Sequence, residues 1–186
     1  MKKSELMECL ECNPVIAAIG DDKWAEALES PAQVLFYLSA NLLSAEEMIR
    51  KAHASGRYVL VHLDLAEGIG RDRTGLQYLA KIGADGIIST RAQMIQFAKE
   101  QGLITVQRFF LLDSKGLDSI EEMLRHTKPD FMELMPGVIG KSICRFSSGG
   151  TPVITGGLME TKQELTDALG SGATAVSTGR KELWYL

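Results

Sequence analysis

Two short glycine-bearing segments near the end of the chain carry residues suited to binding a phosphate group. The segments are Thr155-Gly156-Gly157 and Ser177-Thr178-Gly179-Arg180. Glycine lets backbone N–H groups approach an anion closely, and the start of a following helix adds partial positive charge. A hydroxyl and a guanidinium can supply further hydrogen bonds. The sequence therefore predicts ligand-binding roles for Gly156, Gly157, Thr178, Gly179 and Arg180, the alternative being that the glycines only form tight turns.

Two carboxylates, Asp64 and Glu133, lie at or near the ends of other apolar runs. Because side chains alternate along a strand, His62 and Asp64 of the run 58–64 share one face, which we expect to be the inner one. Such carboxylates can accept hydrogen bonds from ligand hydroxyls or act as general acid and base. The alternative is that they pair with arginines such as Arg108, which we also count as a candidate ligand-binding residue.

Residue types that hold metals or perform redox chemistry are sparse in this chain. The three histidines form no cluster with zinc spacing. Cys9 and Cys12 have redox spacing, but they precede the first strand and are expected to be ordinary reduced thiols. No lysine lies inside a predicted strand, which disfavours a Schiff-base aldolase. We therefore expect no cofactor, no metal and no catalytic residue, and favour a protein that is not an enzyme.

Short β-branched runs alternate with helix-period segments and must position these candidates. The predicted strands are residues 15–19, 34–38, 58–64, 86–89, 104–109, 131–134, 153–155 and 175–177. Strict alternation implies parallel strands, and eight units predict a compact (β/α)8 TIM-type barrel, in which the loops after the last two strands commonly bind phosphate. An open doubly wound sheet is the alternative. The length suits one domain, which we assign to residues 1–186.

Local signals support these boundaries. Capping boxes are predicted at the starts of three helices, at Ser44 with Glu47, Thr90 with Gln93, and Thr161 with Glu164. Gly83, Gly102 and Gly172 stand where helices end before the next strand. Residues 83–90 also resemble residues 172–179, about half a chain apart, as two similar half-barrels would place them.

Composition limits the functional classes. The net charge is −4 and the isoelectric point is about 5.5, so the chain as a whole is not built as a general polyanion binder. The charged N terminus lacks the apolar run of a signal peptide, and no segment is apolar for long enough to span a membrane. Three cysteines suit a reducing compartment. We expect a cytoplasmic protein with no membrane partner.

In several motifs the chain resembles the glycerol uptake operon antiterminator family. The motifs are His62-x-Asp64-Leu65-x-x-Gly68-Ile69, Gly86-Ile87-Ile88-Ser89-Thr90-Arg91, Gln107-Arg108-x-Phe110, Pro129-Asp130-Phe131-x-Glu133-x-x-Pro136-Gly137-Val138-Ile139, Gly156-Gly157-Leu158 and Glu182-Leu183-Trp184. They follow one another from about Pro14 to the C terminus with matching spacing, which makes the combination specific.

The resemblance implies a bacterial cytoplasmic regulator that senses glycerol 3-phosphate and acts on the leader mRNA of glycerol-metabolism genes, preventing early termination. The phosphate would then lie on the two glycine segments, and we infer that Asp64 and Glu133 receive the glycerol hydroxyls. No RNA-binding module is recognisable. We expect a homo-oligomer to assemble a basic surface near the rim, the end of the barrel at which the strands end. The surface would use Arg71, Arg73, Arg91 and Lys141, the last taken as a loop residue.

Two other functions stay open at this point. One is a barrel enzyme acting on a small phosphorylated polyol or sugar, with Asp64 or Glu133 as the general base. The other is a sensor of a phosphorylated metabolite that binds a protein partner instead of RNA.

Overall fold

The structure, a computed structural model, describes residues 2–185. In this part of the chain eight strands alternate with eight α-helices. The strands are β1 Val15–Ile19, β2 Val34–Tyr37, β3 Tyr58–His62, β4 Gly86–Ser89, β5 Ile104–Phe110, β6 Phe131–Met135, β7 Val153–Gly156 and β8 Ala175–Thr178. The helices are α1 Lys3–Cys12, α2 Trp24–Glu29, α3 Ala45–Ala54, α4 Arg73–Lys81, α5 Ala92–Glu100, α6 Ser114–Thr127, α7 Gly140–Ser147 and α8 Lys162–Gly170. Short 3₁₀ turns span Asp21–Lys23, Leu63–Leu65 and Lys181–Trp184.

The eight strands form a closed parallel barrel in which each strand pairs with its neighbours in chain order. The barrel closes where β1 pairs with β8, with Val15 opposite Val176. The predicted (β/α)8 barrel is therefore confirmed, and the open doubly wound sheet is excluded. Parallel strands place all their carboxyl ends at one rim, so the loops after the strands can meet there.

Alternation along the strands produces two apolar layers. Inward residues such as Ile16, Leu60 and Ile88 fill the barrel, whereas Val59 and Val61 belong to the layer between the barrel and its helices. Leu6 and Leu10 of α1 pack into the inner layer, so this helix covers the amino-terminal end of the barrel. A filled barrel leaves the carboxyl-terminal rim as the place for a ligand.

Several predicted boundaries need correction. The third strand ends at His62, and Asp64 lies in the following 3₁₀ turn instead of in the strand. Ser44 and Thr90 make no capping hydrogen bond to their helices, because the Thr90 hydroxyl and amide both donate to Asp64. Lys141 lies in α7 and not in a loop. The short turn after β3 accounts for Asp64, and the contact with Asp64 accounts for Thr90.

Other local predictions are confirmed. The hydroxyl of Thr161 accepts a hydrogen bond from the Glu164 amide at 3.2 Å, and the Glu164 carboxylate accepts one from the Thr161 amide at 2.8 Å. Gly83 and Gly172 adopt φ values of 90° and 99° before β4 and β8, where only glycine fits without strain. No helix within residues 2–185 combines the length and the apolar character needed to cross a membrane.

Replacement of Thr161 by alanine should lower the free energy of unfolding by about 1 kcal/mol, because the amino-terminal end of α8 then loses its capping acceptor. Urea denaturation of the variant and the wild type measures the change. The matched control is Thr161→Ser, which keeps the hydroxyl and should retain the wild-type stability. Equal stability of the alanine and serine variants would show that the capping box contributes nothing.

Candidate functional site

A cavity of about 530 Å³ opens at the carboxyl-terminal rim, where β1, β7 and β8 end. Its lining residues come from several strand ends and the loops after them: Ala18, Lys23, Leu38, Arg108, Met135, Gly157, Leu158, Met159, Glu160, Ser177, Thr178, Gly179 and Arg180. Five of the eight predicted ligand-binding residues are among them. The other three, Asp64, Glu133 and Gly156, lie outside the lining.

A buried ion pair forms the inner wall of the cavity. Arg108 of β5 stands directly opposite Glu133 of β6, and its Nε donates to Glu133 Oε2 at 2.6 Å. Glu133 is fully buried and its other oxygen accepts a hydrogen bond from the Ser177 hydroxyl at 2.7 Å. Among residues 2–185, no acceptor bonds to the two terminal nitrogens of Arg108. The ion pair therefore positions the Arg108 guanidinium at the cavity, and the two terminal nitrogens of Arg108 stay free to donate hydrogen bonds.

Gly156 makes room for this ion pair. A Cβ atom at Gly156 would lie 2.1 Å from the Ser177 hydroxyl and 3.1 Å from Glu133 Oε1, both closer than packed atoms come. Any side chain here would displace the hydrogen bond that holds the carboxylate. Packing therefore explains why a glycine occupies position 156. The sequence had suggested a different reason, a backbone contact with phosphate.

The loops after β7 and β8 present main-chain donors to the cavity. Within residues 2–185, the amide groups of Gly157 and Gly179 donate to no protein acceptor. Gly157 has a φ of 72°, and a Cβ there would lie 2.6 Å from Met135 Cε. Free amides beside a cationic wall form an anion-binding concavity. The phosphate site itself stays a prediction.

Lys23 is a cavity residue that the sequence reasoning missed. It ends the 3₁₀ turn after β1, and its Nζ donates to the Gly179 carbonyl at 2.8 Å. The signal was present, because every residue that closely follows a barrel strand lies near the same rim. Lys23 and Arg108 give this cavity two cations that contact no carboxylate other than Glu133 in the described chain.

Thr178 and Arg180 are partly engaged by the protein itself. The Thr178 hydroxyl accepts from the Arg180 amide at 3.1 Å and donates to the Met159 carbonyl at 3.4 Å. The Arg180 guanidinium donates to Glu160 at 3.0 Å, and both side chains are exposed. An exposed pair of this kind contributes at most about 1 kcal/mol, so an anionic ligand can replace Glu160 at small cost.

Asp64 lies outside the cavity lining and is held by the neighbouring β4 loop. It accepts hydrogen bonds from the Ser89 hydroxyl and from the amide and hydroxyl of Thr90, all between 2.7 and 2.8 Å. Burial raises the pKa of Asp64, but these hydrogen bonds outweigh burial and hold the pKa below its ordinary value. A carboxylate stabilised in this way is a weak general base at neutral pH.

His62 is a second titratable group of the inner rim. The side chain is buried and its Nδ1 has no hydrogen-bond partner in residues 2–185. Burial, together with the positive charge of Arg108, lowers the pKa of His62 to about 4. The imidazole is therefore neutral near pH 7. No group of three or more potential metal ligands occurs in the described part of the chain.

The four basic residues that we expected to assemble an RNA surface are mostly occupied. Arg71 donates to the Asp64 carbonyl, Arg73 pairs with Glu100, and Arg91 lies 3.9 Å from the Asp64 carboxylate. Lys141 lies in the first turn of α7. Arg71, Arg73 and Arg91 thus already contact other groups of the protein.

Comparison with known proteins supports the motif resemblance. The family model for the glycerol-3-phosphate responsive antiterminator matches residues 15–184. The chain belongs to this family. It is 32% identical over 184 residues to the uncharacterized protein YgcP of Escherichia coli K12, covering 97% of this chain and 96% of that protein.

Solved structures of antiterminator proteins share the fold. The glycerol uptake operon antiterminator regulatory protein of Listeria monocytogenes superposes with a TM-score of 0.87 at 33% identity, covering 92% of this chain and 95% of the other. A glycerol uptake operon antiterminator-related protein of Thermotoga maritima gives 0.83 at 31% identity, with coverages of 91% and 96%. These similarities confirm the resemblance. Deoxyribose phosphate aldolase of Aeropyrum pernix, at 0.70 and 12% identity over 98% and 96% of the chains, shows the shared barrel alone.

The low pKa of His62 should make stability depend on pH. In the unfolded chain histidine titrates near pH 6.5, so the unfolded state binds more protons between that value and about 4. The free energy of unfolding should therefore fall by about 2 kcal/mol between pH 7 and about 4.5. Urea denaturation at both pH values measures the loss.

The His62→Gln variant should show a smaller loss, because it carries no titrating group at this position. The control is His126→Gln, which removes an exposed histidine on α6 and should keep the wild-type pH dependence. Identical pH dependence of the wild type and His62→Gln would contradict the buried neutral imidazole.

Proposed function

We propose that this chain binds glycerol 3-phosphate, or a closely similar phosphorylated small molecule, in the rim cavity and in response binds leader mRNA of glycerol-metabolism genes to prevent early termination. The observation that carries the proposal is the cavity itself. It joins the buried Arg108, with two free terminal nitrogens, to the free amides of Gly157 and Gly179. Membership of the family supports the same ligand and the same regulatory role.

In this proposal the phosphate group occupies the loops after β7 and β8. The amides of Gly157 and Gly179 donate to its oxygens, and Lys23 supplies a positive charge from the side of β1. Arg180 exchanges its exposed contact with Glu160 for the ligand. Thr178 shapes the loop, because its hydroxyl accepts from the Arg180 amide. Charge-assisted hydrogen bonds of this kind favour a dianionic ligand over free glycerol.

The glycerol end then extends toward Arg108 and the two carboxylates. A carboxylate offers about four acceptor positions, of which protein donors use two on Glu133 and three on Asp64. Each therefore retains acceptor capacity. Glu133 is fully buried and Asp64 lies outside the cavity lining, so a contact of either with a ligand hydroxyl requires a local rearrangement, and this role stays a prediction. Glu133 has a second role in the proposal, since it orients Arg108 toward the cavity.

Regulation is favoured over catalysis by the state of the carboxylates. Glu133 is paired with Arg108, and hydrogen bonds keep the pKa of Asp64 low, so neither side chain is poised to take a proton. A ligand that binds one conformation better than another shifts the population of the molecule. Binding of glycerol 3-phosphate is therefore used to select the state that binds RNA. Homo-oligomerisation stays an expectation within this proposal.

Replacement of Gly157 by valine should weaken binding of glycerol 3-phosphate by at least about tenfold, because a side chain at this position blocks approach to the main-chain donor and meets Met135. Titration calorimetry measures the affinity. The control is Gly102→Val, which has the same φ of 72° but lies in the turn before β5 with open space around it. Unchanged affinity in a folded Gly157→Val variant would remove this loop from the site.

Retention of a glycerol-operon leader RNA on a filter should require glycerol 3-phosphate. At moderate salt we expect tight retention with the ligand and at least about tenfold weaker retention without it, since coupling free energies of 1–3 kcal/mol are typical. Glycerol and inorganic phosphate serve as controls, because each carries only half of the recognised chemistry. Equal retention with and without glycerol 3-phosphate would contradict the regulatory role.

A further inference from the structure

A second large depression lies at the opposite end of the barrel from the ligand cavity. It has a volume of about 570 Å³ and is formed by α6, α7, the start of α1 and the segments that lead into β6 and β7. We call it the basic groove and define it by Lys3, Arg125, Lys128, Arg145, Leu124 and Phe146. Arg125 and Lys128 are spaced as neighbours on one face of α6 and its end.

Three of the four cations of the basic groove form no ion pair within residues 2–185, whereas the fourth, Arg145, is paired with Glu121 and Asp118. No carboxylate in residues 2–185 lies within 4.0 Å of the side-chain nitrogens of Lys3, Arg125 or Lys128. All three side chains belong to exposed residues. The Lys3 ammonium lies 5.7 Å from the centre of the Phe131 ring, which orients it at the edge of the barrel. The groove therefore presents three cations to solvent.

The acidic side chains of the groove are already engaged. Glu121 accepts from Arg145 at 2.7 Å, and Asp130 accepts from the amide and hydroxyl of Thr105 at 2.9 and 2.7 Å. Arg145 also contacts Asp118, so it is held rigidly at the groove edge. Asp130 bonds only to neutral groups and keeps its negative charge. The lining carries four cations, Lys3, Arg125, Lys128 and Arg145, against the two carboxylates of Glu121 and Asp130, so the surface is electropositive in a chain whose net charge is −4.

The shape of the groove suits an extended strand. Leu124, Pro129 and Phe146 supply the apolar part of its lining. The far wall contains Gly149 and Gly150, and a Cβ at Gly150 would meet no atom within 4 Å. A positively charged groove can follow the phosphate backbone of a single-stranded nucleic acid without base-specific contacts. The ring of Phe146 is buried, so binding here would rest on phosphate contacts and not on base stacking.

From this combination we infer that the basic groove binds the phosphate backbone of single-stranded RNA through Lys3, Arg125 and Lys128. The inference deepens the proposed function and rests on it, because it names the RNA-binding surface of that regulator. It replaces the rim surface that we expected from the sequence, where Arg71, Arg73 and Arg91 contact protein groups. One chain presents the groove, so its assembly needs no second copy.

The two helices of the groove also connect it to the ligand cavity. The segment before α6 follows β5, which carries Arg108, and α7 follows β6 through a loop whose Gly137 amide donates to the Gly157 carbonyl at 3.1 Å. A ligand that moves the loop at Gly157 would therefore also move the loop at Gly137 and, with it, the start of α7. At its other end α7 carries Arg145 and Phe146 into the groove.

The test measures binding of a fluorescent oligo-uridine of about 12 nucleotides, a length within the range that one binding surface spans, by anisotropy with saturating glycerol 3-phosphate. The double variant Arg125→Gln/Lys128→Gln should bind roughly tenfold or more weakly near 0.1 M salt. Its slope of log affinity against log salt should fall by about 1.4, because two phosphate contacts are lost. The variant should keep the wild-type affinity for glycerol 3-phosphate in calorimetry, which shows that it is folded.

The matched control is Arg50→Gln/Lys51→Gln, which removes the same net charge from exposed positions of α3 and should bind the oligonucleotide like the wild type. The inference is overturned if the wild type does not bind, if both double variants weaken binding equally, or if only Arg71→Gln/Arg91→Gln weakens it.

Failure of the proposed function would look different. Binding through the groove that is equally tight with and without glycerol 3-phosphate would support the groove and contradict the regulatory role. Ligand-dependent RNA binding that survives Arg125→Gln/Lys128→Gln would support the regulatory role and overturn the groove.

Discussion

The buried pair of Arg108 and Glu133 is the interaction on which the ligand site depends. Removing two charges from water costs several kcal/mol per ion, and only good geometry with further hydrogen bonds offsets that cost. Here Ser177 supplies the additional hydrogen bond, and Gly156 leaves the space for it. The pair therefore links β5, β6 and β8 at the rim. Loss of one partner would leave the other charge buried and unpaired.

The two ends of the barrel differ in what covers them. Apolar side chains fill the interior, and α1 covers its amino-terminal end with Leu6 and Leu10, so no ligand passes through the axis. The small-molecule site that we propose lies at the rim, where the cavity is lined by Arg108, Lys23 and the loops after β7 and β8. A large polyanion needs an extended surface instead. The basic groove, outside the barrel at its other end, offers that surface.

The negative net charge gives no indication of the two cationic regions, the rim cavity and the basic groove. Carboxylates are spread over the helices and loops, and several are used as hydrogen-bond acceptors or caps, as Asp64 and Glu164 are. Cations such as Lys23 and Arg125 lie in concave regions, where a few charges are sufficient for local binding. The total charge of this chain therefore governs its solubility and long-range attraction, whereas the positions of individual charged side chains determine where an anion can bind.

Much of the fold was readable from the sequence, because strand alternation, helix period and helix-ending glycines are local properties. The order of eight β/α units and the rim loops at Gly157 and Gly179 follow from that pattern, whereas pairing of Arg108 with Glu133 was left open as the alternative to a ligand role. The tertiary structure alone decided the rest: the position of Lys23, the capture of Thr90 by Asp64, and the meeting of Lys3 with Arg125 and Lys128. Those contacts join residues far apart in the chain, and no local spacing encodes which side chains closure of the barrel brings together.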